Sequence, residues 1–167
     1  MGRTSKDVPP EEEQRRYWRL LWLSSIQAFA DSETQRVRWL DPNERNPYYS
    51  YVECMCGYFD DAYLGEKSAY EKRLASGRIS GAEIDAVADF HMLAAAYESP
   101  SGDDWDVKAV LDDPAWQKLV AAAQEAQRHL LSLLNDQAER AALTRPLIWK
   151  EDNGTYRAAA TGSTIVR

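Results

Sequence analysis

The sequence predicts a mainly α fold: a single helical bundle of about five to six helices, with a long C-terminal helix and a small C-terminal β-hairpin. Three observations predict it. Apolar residues recur at three- and four-residue spacing over most of the chain. Ser followed three residues later by Glu or Gln, a helix-start signature, recurs at Ser32–Gln35, Ser68–Glu71 and Ser80–Glu83. After Pro146 the pattern changes to short stretches flanking Asp152-Asn153-Gly154, and Asn-Gly is the strongest short hairpin signal. The expected organisation is one domain over 1–167: a flexible lead at 1–8, the bundle at 9–143 and the hairpin at 147–160.

Pro9 and Pro10 followed by Glu11, Glu12 and Glu13 open the first helix, since proline suits the first turn and acid suits the helix dipole. It should reach Ala30. Trp18, Leu21, Trp22, Ser25 and Phe29 share one side, while Leu20, Leu23 and Gln27 share another. A helix apolar on two sides is central in a bundle or shared with a partner. Asp31 or Ser32 caps a short second helix, with Gln35 closing a capping box on Ser32. Asp41-Pro42-Asn43 breaks it. Asn46 before Pro47 reads as the next cap, and a helix should cover Tyr48 to Tyr63, with Tyr48, Val52, Met55, Phe59 and Ala62 inward.

Gly65 ends that helix. Ser68–Glu71 opens a short helix that Gly77 terminates. Ser80–Glu83 opens another, to about Tyr97, with Ile84, Val87, Phe90, His91, Ala94 and Tyr97 inward. Pro100-Ser101-Gly102 makes a loop, and residues 103–106 begin a short acidic turn or helix. Asp113-Pro114 then opens the longest helix, to Leu143. Its inward positions, Trp116, Val120, Ala123, Gln127, Leu130, Leu134, Gln137 and Ala141, alternate four and three apart. That spacing is a seam of about four heptads, either the longest helix of the bundle or a homodimer seam whose register the glutamines fix.

Charge is the most uneven property of the chain. Residues 51–113 hold 14 Asp/Glu against 5 Lys/Arg, while residues 1–50 are balanced and 114–167 carry two more bases than acids, so the net −7 comes from the middle. Such a field steers a basic partner and repels nucleic acid or an anionic membrane. The apolar stretch from Tyr17 to Ala30 is too short and too polar to span a bilayer. Residues 1–16 lack the apolar core of a signal peptide. The two cysteines, Cys54 and Cys56, lie two apart and cannot bridge along a helix, so a reducing, cytoplasmic setting is expected.

Two acidic, aromatic stretches form the candidate partner-binding site: Glu53, Gly57, Asp60 and Asp61, and Asp103, Asp104, Trp105 and Asp106. Gly57 in mid-helix admits either a partner backbone or a close neighbouring helix. Trp105 either anchors an Arg-rich partner or folds back over the short helix. A second set, Glu53 with Asp60 and Asp85 with Asp89, would hold a divalent metal for hydrolysis if the two helix faces met. The Glu-x-x-Glu spacing of all-helical nucleotide pyrophosphohydrolases is absent, Asp85 and Asp89 fall away from the apolar stripe of their helix, and a solvated acidic face is the reading these residues favour. His91 reads as a buried, hydrogen-bonded histidine, and His129 as an outer-face residue. Arg15, Arg16, Arg19, Arg36 and Arg38 form a basic strip near Trp18 and Trp39, balanced by Glu11 to Glu13 and Glu33; nucleic-acid binding is not expected.

These features point to a non-enzymatic acidic module that docks on a basic partner protein. An inhibitor or immunity-type protein that neutralises a toxin or nuclease fits, with no metal or other cofactor implied. The alternatives are an assembly subunit that oligomerises through its long helix and hairpin, and a carboxylate-metal hydrolase.

Overall fold

The computed structural model describes residues 10–44 and 49–145, and in the C-terminal part only the backbone of 148–150, 156–158 and 164–165. Among these residues eight helices follow in order: α1 (Glu11–Ala30), α2 (Ser32–Arg38), α3 (Tyr51–Cys56), α4 (Ala69–Ala75), α5 (Gly81–Ala96), α6 (Val107–Asp112), α7 (Pro114–Leu133) and α8 (Gln137–Thr144). α3 runs on into a π-helical turn, Gly57–Asp61. The mainly helical class is as the sequence predicts. The count is higher because 107–112 is a full helix and the long C-terminal helix is two. The lead at 1–8 and the Asn46-Pro47 cap lie outside the described residues, as does most of 147–160, so the expected hairpin is not supported.

α1 is the axis of the fold. Its first turn carries Glu11, Glu12 and Glu13 at the positive end of the helix dipole. From Trp22 to Gln27 every residue is buried, as expected of a helix enclosed on all sides. α7, α8 and the π turn pack against it, and α5 packs on α7. A helix leaves its last four carbonyls without intrahelical partners, and here each is claimed. Asp31 N–H donates to Gln27 O (3.0 Å), Gln35 Nε2 donates to Ala28 O and Phe29 O (2.9 and 3.0 Å), and Gln124 Nε2 donates to Ala30 O (3.1 Å). Gln35 also accepts from Trp116 Nε1 at 3.1 Å. It is therefore not half of a capping box on Ser32. Asp31 caps α2, accepting from Thr34 N–H, which frees Gln35 to turn inward.

One buried arginine joins three helices. Arg19, expected in an exposed basic strip, has a side chain only 6% exposed. Its Nη2 and Nη1 reach Glu83 Oε1 and Oε2 (2.6 and 3.2 Å), Nε and Nη2 reach Glu139 Oε1 and Oε2 (2.5 and 3.2 Å), and Nη1 also reaches Arg78 O (2.8 Å). These contacts employ all five guanidinium hydrogens. Glu83 and Glu139 occupy the same position in their helices, third after the caps Ser80 and Asp136. Two helix starts thus converge on one cation. Burial works against the Glu83 carboxylate, but the Arg19 hydrogen bonds and the Ser80 backbone N–H hold it below its ordinary range.

The expected helix from Pro114 to Leu143 breaks at Leu134, which is extended (φ −88°, ψ 129°). Asp136 then caps α8 by accepting from Glu139 N–H at 3.0 Å. Four-and-three spacing runs through the break because α8 folds back on the same core. Gln137, expected inward, is exposed, and Ala142 and Leu143 are buried instead. Gln127 Nε2 donates to Leu143 O at 2.6 Å, a contact within this chain. Trp116, Val120, Ala123 and Leu130 are buried in this chain's own core.

Two further starts differ from expectation. Ser80 makes the full capping box with Glu83, but Ser68, with its backbone at φ −98° and ψ 16°, makes no side-chain cap. α3 begins after Ser50, and its buried residues are Tyr51 and Cys54, followed by Tyr58 and Ala62 in the π turn and beyond it. The inward face is rotated by one residue from Val52, Met55 and Phe59, because Tyr51 seats edge-on against Tyr97 and Trp116 (5.8 and 5.4 Å).

Replacing Arg19 with Met leaves two carboxylates buried without their cation. It should cost about 3–5 kcal/mol in urea unfolding. A loss below about 1 kcal/mol would mean that the three helices do not depend on this residue.

Candidate functional site

The eight candidate residues fall into two groups. In the first, Glu53, Asp60 and Asp61 surround the Cys56 thiol. Burial, a hydrogen bond to Asp60 and the three negative charges all push that thiol up. Asp60 and Asp61 are exposed on the π turn. In the second, Asp103, Asp104, Trp105 and Asp106 form the exposed approach to α6. Their backbone is set by their own carboxylates. Asp103 Oδ1 accepts from Trp105 N–H (2.9 Å), Asp104 Oδ1 accepts from Ser99 Oγ (2.8 Å), and Asp106 caps α6 by accepting from Ala109 N–H (3.1 Å). Tyr51, the first residue of α3, lies within reach of the charge of the second group. Burial first, then the charge of Asp104 and the Cys54 thiol, push its phenol up to about 12.

Ion pairing divides the described acids without singling out the candidates, because Glu11, Glu13, Asp31, Glu33, Asp41, Glu71, Asp85, Asp89, Glu98 and Asp113 also meet no Lys or Arg among the described residues. Glu83 and Glu139 share Arg19, Asp136 meets Arg16, Glu66 meets Lys72 and Asp112 meets Lys108. Glu53, Asp60, Asp61, Asp103, Asp104 and Asp106 meet no Lys or Arg among the described residues. The three arginines of α1 are committed elsewhere: Arg15 to Gly77 O and Glu12, Arg16 to Asp136, and Arg19 to its two glutamates.

Trp105 does not fold back over α6; it is 69% exposed. A β-carbon at Gly57 would meet nothing within 4 Å, so no neighbouring helix explains that glycine. Asp85 and Asp89 are exposed, and among the described residues no three His, Cys, Asp or Glu side chains gather to hold a metal ion. The structure therefore does not bring Glu53, Asp60, Asp85 and Asp89 together.

Tyr63 was not visible as a site residue. It closes the π turn in the left-handed region (φ 56°), where Leu64 and Gly65 N–H both donate to Phe59 O (3.0 and 3.1 Å). That is the place glycine usually fills after a helix. The ring is 71% exposed and lines a groove of about 500 Å³ with Phe59, Asp60, Glu66, Lys72 and Arg73. Arg73 lies over the Trp18 and Tyr63 rings at 4.8 and 6.0 Å. A bulky residue in this backbone conformation is a recognised mark of functional turns. The only sequence signal was the adjacency of Tyr63 to Asp60 and Asp61.

His91 is hydrogen-bonded as the sequence predicts, with Nδ1 2.9 Å from Tyr58 Oη, but it is half-buried rather than buried. Tyr58 Oη lies 2.6 Å from Tyr70 Oη, and Trp22 Nε1 donates to Tyr70 Oη at 3.0 Å. His129 is on the outer face beside Glu125.

No helix among the described residues is long and apolar enough to cross a membrane. Comparison with models of known protein families, with curated proteins and with solved structures gives no match.

Replacing Tyr63 with Gly relieves the left-handed backbone and should raise stability by about 1 kcal/mol in urea unfolding. A loss of stability would mean that the Tyr63 ring, not its backbone, holds the turn.

Proposed function

We propose that this chain is a non-catalytic binding module that docks an acidic, aromatic face onto a basic partner protein. The observation that supports this reading is the cluster of Asp103, Asp104 and Asp106, exposed and without an ion pair among the described residues, around an exposed Trp105, with Asp60 and Asp61 likewise exposed and unpaired on the π turn. Uncompensated acids around an exposed tryptophan suit arginines and lysines of a partner: the charges steer the encounter, and the indole offers a face for a guanidinium. An inhibitor or immunity-type protein that covers the basic surface of a toxin or nuclease is the form we favour.

Asp103, Asp104 and Asp106 also shape their own backbone, so charge reversal would confound binding with folding. Asparagine removes the charge but keeps the accepting oxygen, and it caps helices as well as aspartate does. The test is capture of partners by the full chain from its own cells, followed by affinity measurement with the purified partner at low and high salt. Affinity should fall steeply with salt, and the triple variant Asp103→Asn, Asp104→Asn, Asp106→Asn should bind at least about tenfold more weakly at unchanged melting temperature. Binding indifferent to salt and to the triple variant would sink the reading.

A further inference from the structure

The core contains a hydrogen-bond chain that satisfies every group in only one direction. The Trp22 indole N–H can only donate, and it donates to Tyr70 Oη. Tyr70 has one hydrogen left to give, and its neighbour is Tyr58 Oη. Tyr58 in turn has one hydrogen, and its remaining neighbour is His91 Nδ1. Every polar group is satisfied if Nδ1 accepts, which puts the single imidazole proton of neutral His91 on Nε2. If Nδ1 carried a hydrogen, Tyr58 would have to accept it. One phenolic hydrogen, on Tyr58 or Tyr70, would then have no acceptor, and both phenols are buried (0% and 9% exposed). An orphaned buried donor costs about 1–3 kcal/mol.

We propose that His91 is a proton-operated latch on the π turn: neutral, it terminates the chain and holds the turn; protonated, it breaks the chain and releases the turn that carries Asp60 and Asp61. The turn is where the effect must appear, because Tyr58 and Phe59 belong to it and both rings lie on the imidazole (5.7 and 6.1 Å). α4 presents Tyr70 to the ring (4.9 Å), and the titratable groups facing His91 from these elements are the two phenols. No carboxylate or guanidinium pairs with it among the described residues, and burial alone lowers its pKa from the ordinary value near 6.5. The sign follows. The unfolded chain takes up a proton near 6.5 where the folded chain resists it, so the stability due to neutral His91 is complete above that value and is lost as pH falls below it. As regulation of partner binding, the latch rests on the reading of Asp60 and Asp61 as partner-facing acids.

The test needs no partner. Long-range proton–nitrogen NMR of the full chain identifies the imidazole tautomer, and the chain has only one other histidine signal to assign, His129. At about pH 7.5 His91 should be protonated at Nε2 and bare at Nδ1, and its titration midpoint should lie below the ordinary value near 6.5. Amide signals of Gly57–Asp61 should move with the His91 midpoint. The urea midpoint should fall between about pH 7.5 and about pH 5.5. In His91→Asn, where an uncharged carbonyl oxygen accepts from Tyr58, that fall should disappear. A proton on Nδ1 at neutral pH, a turn silent to the titration, or an unchanged pH response in His91→Asn would each overturn the latch. Should the latch hold while partner affinity ignores this pH window, the fault lies with the docking surface.

Discussion

The fold depends on a single cation. Arg19 lies inside the protein, in the most enclosed helix, and a buried guanidinium is tolerable only if every hydrogen finds an acceptor. Its acceptors come from the first turns of two other helices, where Glu83 and Glu139 stand in equivalent places, and from Arg78 O. Each glutamate thus serves twice. It sits near the positive end of its helix dipole, where a carboxylate is favoured, and it neutralises half of a shared charge from α1. Replacing such an arrangement with apolar side chains is often neutral in stability, so what the ions supply is register. α5 and α8 each start at a capped turn whose third residue meets Arg19.

That constraint sorts the acids. Glu83 and Glu139, which face inward, are taken by Arg19, and the acids at Asp60, Asp61 and 103–106 are among those left with solvent. The net −7 of the chain is therefore not spread evenly among effective charges. The same axis that fixes α5 and α8 also aligns Trp22, which begins the polar chain through Tyr70 and Tyr58 to His91. The π turn is thus anchored from inside by hydrogen bonds and exposes its carboxylates outside. An anchored turn presents charge to a partner with little ordering cost on binding.

Local signals were legible in the sequence where they act locally. The proline–glutamate start of α1, the Ser80–Glu83 box and the stop at Gly77 (φ 69°) need only neighbours along the chain. So did the inward setting of His91, which follows from its phase with Val87, Phe90 and Ala94. What was not legible involves distant partners. Arg19 resembled its surface neighbours Arg15 and Arg16 because its carboxylates lie 64 and 120 residues away. The α7–α8 break was hidden because apolar spacing continues through it, and Asn135-Asp136 gave the weaker signal. α3 rotated by one residue because large aromatic rings, rather than the average stripe, set its phase. For the candidate site, the acidic stretches were visible but their lack of cations was not, since that depends on where the arginines go.

Native-state amide hydrogen exchange tests the Arg19 clamp most directly. If the clamp couples the three helices, the buried amides of α1, α5 and α8, such as Ile26, Phe90 and Leu143, open together with one free energy that equals global unfolding. Exchange of α8 through a separate, lower-energy opening, with α1 and α5 still protected, would show that the helix starts are not bound into one unit by Arg19.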